Sequence, residues 1–228
     1  MRIGKQVLQL VRDRSGVAIT EFALALPFLL FAGLGGAELA SYTHAHMKVS
    51  QVAMQIADNG SRIGDTSTLQ DRKIYESDIN DLIYGAHIQA GGLDLYGHGR
   101  VIISSLEVDP DTGNQYIHWQ RCRGARKVDS SYGLAGDNLG TTGMGPKGNE
   151  VKAEPGDAVI FVEIVYEYQP MIANTFMGKS LISTTTAFTV RDDRDLSQVY
   201  QRNSGSPDPV QRCDIYSGAP TVSGKTVS

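Results

Sequence analysis

The pattern of apolar and polar positions divides the chain into an apolar stretch, a helical continuation and a strand-rich body. From Phe22 to Ala37 no residue is charged. Sixteen helical residues span about 24 Å, short of a hydrocarbon core about 30 Å thick. Extending the run back to Val17 gives about 31 Å, enough to cross. The extension places Glu21 inside the apolar stretch, where a carboxylate is costly and marks function by default. Past Glu38, the residues Val49, Val52, Ala53, Ile56 and Ala57 recur at helical spacing. Asn59-Gly60 supplies a stop signal, so one long helix to about residue 59 is expected. A second helix is predicted over 77–89, where Ile79, Leu82, Ile83 and Ala86 share a face and Ser77 or Asp78 would cap it.

The period then changes. Residues 100–108 and Gln115–Arg123 read as strands joined by DPDTGN, which has hairpin-turn chemistry. Residues 124–155 are rich in Gly, Ser, Asp and Thr and read as a long loop. Residues 158–169 alternate from Phe161 onward, and the Thr-rich stretch 181–191 reads as a further strand. The fold class is α+β: a long N-terminal transmembrane and amphipathic helix packed on a small antiparallel sheet. The expected domains are a cytoplasmic leader at 1–16, a transmembrane helix at 17–40, an exported body at 41–202 and a loose polar tail at 203–228.

Charge sharpens this picture. The chain carries a net charge of −4. Residues 1–16 hold Arg2, Lys5, Arg12 and Arg14 against Asp13, a surplus of three positive charges, so the remainder carries −7. Basic residues ahead of the span put the N-terminus in the cytoplasm and export the body. An acidic body argues against a nucleic-acid partner, because phosphate binding needs clustered Lys and Arg. Cys122 and Cys213 are the two cysteines; an even count in an exported domain suggests one disulfide. A secretory signal peptide cut after Ala37, with Gly35 and Ala37 as its small residues, is the alternative.

The informative residues sit at the membrane entrance: the basic leader ends in Gly16, and Val17-Ala18-Ile19-Thr20-Glu21-Phe22 follows. Glycine has no Cβ to exclude a peptidase from the backbone. Cleavage after it would leave an ammonium on Val17, and an isolated charge in an apolar environment is expensive. Val17 and Glu21 are i and i+4 and share a helix face. The arrangement resembles the processing site of type IV prepilins, which implies cleavage between Gly16 and Val17 by a prepilin peptidase and pairing of Glu21 with the amine of an adjacent subunit. The run RDRSGVAITEFALALPFLLFAGLGGAELA looks like the N-terminus of TadE-like pseudopilins of the tight-adherence (Tad/Flp) pilus. VIFVEIVYEYQP and LISTTTAFTVRDD resemble that family's closing strand pair, and His118–Cys122 (HWQRC) is also similar. The resemblance implies a single-pass inner-membrane protein with a periplasmic or extracellular body. Its partners would be other pilins and pseudopilins, the prepilin peptidase and the inner membrane. Other readings are an envelope anchor that keeps its leader, or an exported binding domain.

Other candidates carry less. His44 and His46 point about 200° apart on a helix and cannot share a metal. Asp109–Asn114 lacks the glycine position and terminal Glu of a calcium loop. No strand leads Lys147 into a phosphate-binding loop. Tyr166 and Tyr168 share a strand face. No serine elbow or Cys/His nucleophile pair stands out, so no enzyme, cofactor, metal or small-molecule substrate is expected.

Overall fold

The computed structural model describes residues 15–65, 71–172, 178–191 and 193–218, with the backbone of 221–222 and 225–226. The charged residues of the leader lie outside the described residues. Two compact units form: the N-terminal part through Thr43 with Pro170–Gly178, and His44–Gln169 with Lys179–Ser228.

Helix α1, Ser15–Gly60, ends at the expected stop. In the first unit, every side chain from Gly16 to Ala37 is exposed, including Leu24, Phe28, Leu29 and Phe31. A helix apolar on all sides needs an apolar environment around it. In the second unit the stripe Ala45, Val49, Val52, Ala53, Ile56 and Ala57 is buried, as the spacing of those residues requires. Helix α2, Glu76–Ala90, starts slightly ahead of expectation. Asp78 is not its N-cap: its carboxylate reaches back to accept from the Tyr75 N–H at 3.1 Å, the third-position role in a capping box. A single-turn helix α3, Leu95–His98, leads into the sheet.

The strands are β1 (Gly99–Val108), β2 (Gln115–Arg123), β3 (Asn138–Gly140), β4 (Ala158–Glu167) and β5 (Leu181–Thr189). They form one antiparallel sheet in the order β3-β2-β1-β4-β5, and a two-residue pair, β6 (Thr221–Val222) with β7 (Lys225–Thr226), lies near the C-terminus. The α+β expectation is met. The short β3 escaped the sequence because three residues are too few for a period. DPDTGN closes the β1–β2 hairpin: the Asp109 carboxylate accepts from the Asp111 N–H at 2.8 Å and the Thr112 N–H at 3.1 Å.

Both faces of the sheet are covered, which is why β1 and β4 are buried along almost their whole length. The register puts Val101, Ile103, Ile160, Val162 and Ile164 on one face. That face meets the helices: a Cβ on Gly60 would lie 3.0 Å from Ile160 Cγ2 and 3.4 Å from Leu82 Cδ2. The Tyr96 and Tyr166 hydroxyls donate to the carbonyls of Ile83 and Leu93, each at 2.7 Å, and Arg121 pairs with Glu76.

The other face carries Leu106, Ile117, Val159 and Phe161, which cluster with Met144 and Ala153. Met144 and Ala153 come from the Gly-rich segment expected only as a loop, so that segment is the second layer of the body. Polar anchors on the strands hold it. Gln115 exchanges two hydrogen bonds with the Ala153 backbone, at 2.9 and 2.8 Å. Glu163 accepts from the Ser130 hydroxyl and from the Ser131 N–H at 2.9 Å. Two glycines permit close approach: Gly143, at φ +82°, has room for no Cβ beside the Val151 carbonyl, nor has Gly124, at φ +129°, beside the Gly99 carbonyl.

The tail departs from expectation through Ser217. Cys122 and Cys213 form a disulfide with Cα atoms 4.7 Å apart, inside the usual range. Arg100 is buried and donates to the carbonyls of Gly124, Cys213 and Ile215, with the Tyr216 ring 4.3 Å from its guanidinium carbon. Asn80 donates to the Pro209 carbonyl at 2.9 Å, and Gln211 to Asn80 Oδ1 at 2.7 Å. Polar composition suggested a loose tail, but side chains of the body supply partners that composition does not reveal.

The disulfide closes a separation of 91 residues, worth about 4–5 kcal/mol in the chain-entropy account. Replacing both cysteines by serine should lower the denaturation free energy of the full chain by that order. Non-reduced protein should resist a thiol reagent at both positions. Urea titration and mass spectrometry after labelling check the two outcomes.

Candidate functional site

The residues singled out at the start of the apolar run all lie on α1 in the first unit. Gly16 stands in its first turn, and a Cβ built on it would meet nothing within 4 Å. Val17 and Glu21, one turn apart, and Phe22 are all exposed. The Thr20 hydroxyl donates to the Val17 carbonyl at 2.8 Å, an intrahelical bond of the kind that hides a hydroxyl from apolar surroundings. Among the described residues, none crowds the Gly16 side of the Gly16–Val17 bond.

Residues 16–58 match the family model described as TadE-like protein. This segment is TadE-like. The match runs from Gly16 through the buried stripe of α1, so it covers both the exposed and the packed part of the helix. No curated protein and no solved structure matches the chain. Among the described residues, α1 is the one helix long and apolar enough to cross a membrane. The TadE-like family is structural and associated with pili.

The HWQRC segment has a defined geometry. Between β1 and β2 the register slips at Ser105/Leu106, leaving His118 as an extra residue between Trp119 and Ile117. Such a bulge re-aims a side chain. Here it turns His118 Nδ1 to 2.9 Å from Glu107 Oε2, while the Ser105 hydroxyl donates to Glu107 Oε1 at 2.6 Å and the Tyr116 hydroxyl to Oε2 at 3.3 Å. Glu107 is buried. The serine lies on the carboxylate rather than on the imidazole, so the group lacks the serine–histidine contact that activates a nucleophile. It is a structural cluster that pins the hairpin. Sequence reading missed Glu107 because its partner is set by the bulge, which leaves no periodic signature.

The hydrogen bond to Glu107 raises the His118 pKa, against the lowering effect of burial. A histidine raised on folding contributes stability that is complete below its unfolded pKa, about 6.5, and lost as pH rises through the folded value. Burial raises the Glu163 carboxyl too, so its effect also declines with rising pH but begins lower, near the unfolded carboxyl value of about 4.3. Stability of the full chain should therefore fall as pH rises from about 6.5, and His118→Gln should remove that fall while leaving the lower-pH decline. Urea denaturation across pH, wild type against variant, gives the difference directly.

Proposed function

We propose that the chain is a minor pseudopilin required to assemble a Tad/Flp-type adhesive pilus, cut by a prepilin peptidase between Gly16 and Val17. The observation that carries this reading is Glu21 as the one charged residue on the exposed stretch of α1 from Gly16 to Ala37, one turn from Val17 and five residues after Gly16. The family match over residues 16–58 supports it.

The chemistry follows from the helix end. The peptidase needs an extended backbone at the bond it cuts. Glycine has among the lowest helix propensities, so unwinding the first turn costs little. The cut creates an ammonium at the positive end of the macrodipole, an unfavourable position. Glu21 offsets it. In lipid, helices gain little from apolar contact with one another, so a charge pair between subunits decides which helices associate and in what register. The N-terminus faces the cytoplasm, the body is exported, and the partners are other pilins and pseudopilins.

Three outcomes test the reading. Protein from the native membrane should begin at Val17, read by N-terminal sequencing; a start at Met1 or Glu38 would instead indicate a retained leader or a signal peptide. Gly16→Leu should accumulate uncut. Glu21→Gln should be cut and inserted but fail to cross-link to partner helices and lower piliation, because an unpaired buried ammonium costs several kcal/mol. Normal pili from the cut Glu21→Gln protein would refute the pairing mechanism.

A further inference from the structure

The β4–β5 connection includes Met171 and Ile172, which the first unit holds against α1. Pro170–Gly178 carries no charged residue. Met171 is 74% exposed, and Ile172 beside it is 36% exposed. Two bonds fix their position: the Ile172 N–H donates to Glu38 Oε2 at 3.0 Å, and the Ser41 hydroxyl lies 2.9 Å from the Met171 sulfur. Glu38 is itself only 2% exposed, so a carboxylate is committed to holding a loop 134 positions away in sequence.

The level of that contact is informative. The uncharged run of α1 ends at Ala37, and Glu38–Ser41 spans only the next helical turn, within about 6 Å of its end along the axis. The polar zone on each side of a bilayer is about 5–8 Å deep, the difference between the hydrocarbon core and the whole membrane halved. Met171 and Ile172 are held at that level of α1, on the turn that also carries Leu39, 55% exposed. Connecting loops in water are normally polar. An uncharged loop with a bare methionine has a physical rationale where its surroundings are acyl chains and headgroups.

We infer that Met171 and Ile172 rest in the outer membrane–water interface of the lipid bilayer that α1 spans, as a second lipid contact docked by Glu38. The inference rests on the membrane-spanning reading of α1. Its occupant is lipid, since the loop adjoins the end of the apolar helix surface that lipid would cover.

The test uses the full chain reconstituted in phosphatidylcholine–phosphatidylglycerol vesicles. An environment-sensitive fluorophore is attached, without reductant, to Met171→Cys, to Phe28→Cys within the span, and to Asp111→Cys at the hairpin tip. Shallow and deep spin-labelled lipids then serve as quenchers. The expected result is loss of fluorescence at Met171→Cys with the shallow quencher, loss at Phe28→Cys with the deep one, and none at Asp111→Cys. Quenching at Phe28→Cys without quenching at Met171→Cys overturns the inference and leaves the membrane reading standing. Absence of quenching at both overturns the two together. A blue-shifted but unquenched Met171→Cys probe that cross-links to a second protein overturns it in favour of a protein partner.

Discussion

Ten large apolar side chains between Val17 and Leu34 are exposed on one helix. Burying each such side chain is worth about 1.5–3 kcal/mol, so the uncovered stretch represents tens of kcal/mol. That exceeds the net stability of a typical domain, about 5–15 kcal/mol. Nothing the folded body gains could offset leaving this helix in water. Lipid or other apolar helices must cover it, and the other features of the first unit follow from that requirement. Glu21 becomes expensive, the Thr20 hydroxyl turns back to its own helix, and the loop at Pro170–Gly178 can do without charge.

The second unit obeys the opposite constraint. Its sheet must be sealed on two faces, yet among the described residues its helices lie on one. The Gly-rich segment seals the other with a few apolar residues, Met144 and Ala153 chief among them, while Gln115 and Glu163 satisfy its backbone and serines. An unpaired buried polar group costs about 1–3 kcal/mol, so these anchors are as necessary to the layer as its apolar contacts. Arg100 and the disulfide then close the edge near Gly124 with the tail. The long insert is thus an economical substitute for a second helical layer.

What was legible in the sequence was whatever repeats. The stripe from Val49 to Ala57 and the strands 100–108 and Gln115–Arg123 have periods, and the structure has those elements. Phe161 to Tyr168 alternates in sequence, although β4 is buried on both faces; the period survived because Glu163 and Glu167 interrupt the apolar run. The candidate residues Gly16, Val17 and Glu21 could be singled out for another reason: they are related by spacing along a single helix, and spacing is a sequence property. The Glu107–His118 pair, the Arg100 hub and the layer role of residues 124–155 were not. Each depends on contacts between distant segments, and the first depends on a one-residue bulge that reverses which face His118 serves.

The two units impose different demands on association. The second covers both faces of its sheet with its own segments, so among the described residues its apolar faces create no large need for a partner. The first has one, and its chemistry favours an open-ended solution. Under the proposed cleavage, the ammonium on Val17 would meet Glu21 of its own helix or of a neighbour. An intrahelical i,i+4 pair is worth only a few tenths of a kcal/mol when exposed, whereas a pair formed between helices in low dielectric is far stronger. If the amine of one copy sits level with Glu21 of the next, the copies are offset by four residues, about 6 Å along the axis. Such a contact is heterologous: it leaves an unused carboxylate at one end and an unused amine at the other. A contact of that kind, when its rotation does not close a ring, adds subunits without limit. On the proposed reading, the spacing of Val17 and Glu21 therefore also carries the directional asymmetry that starting or extending a fibre requires.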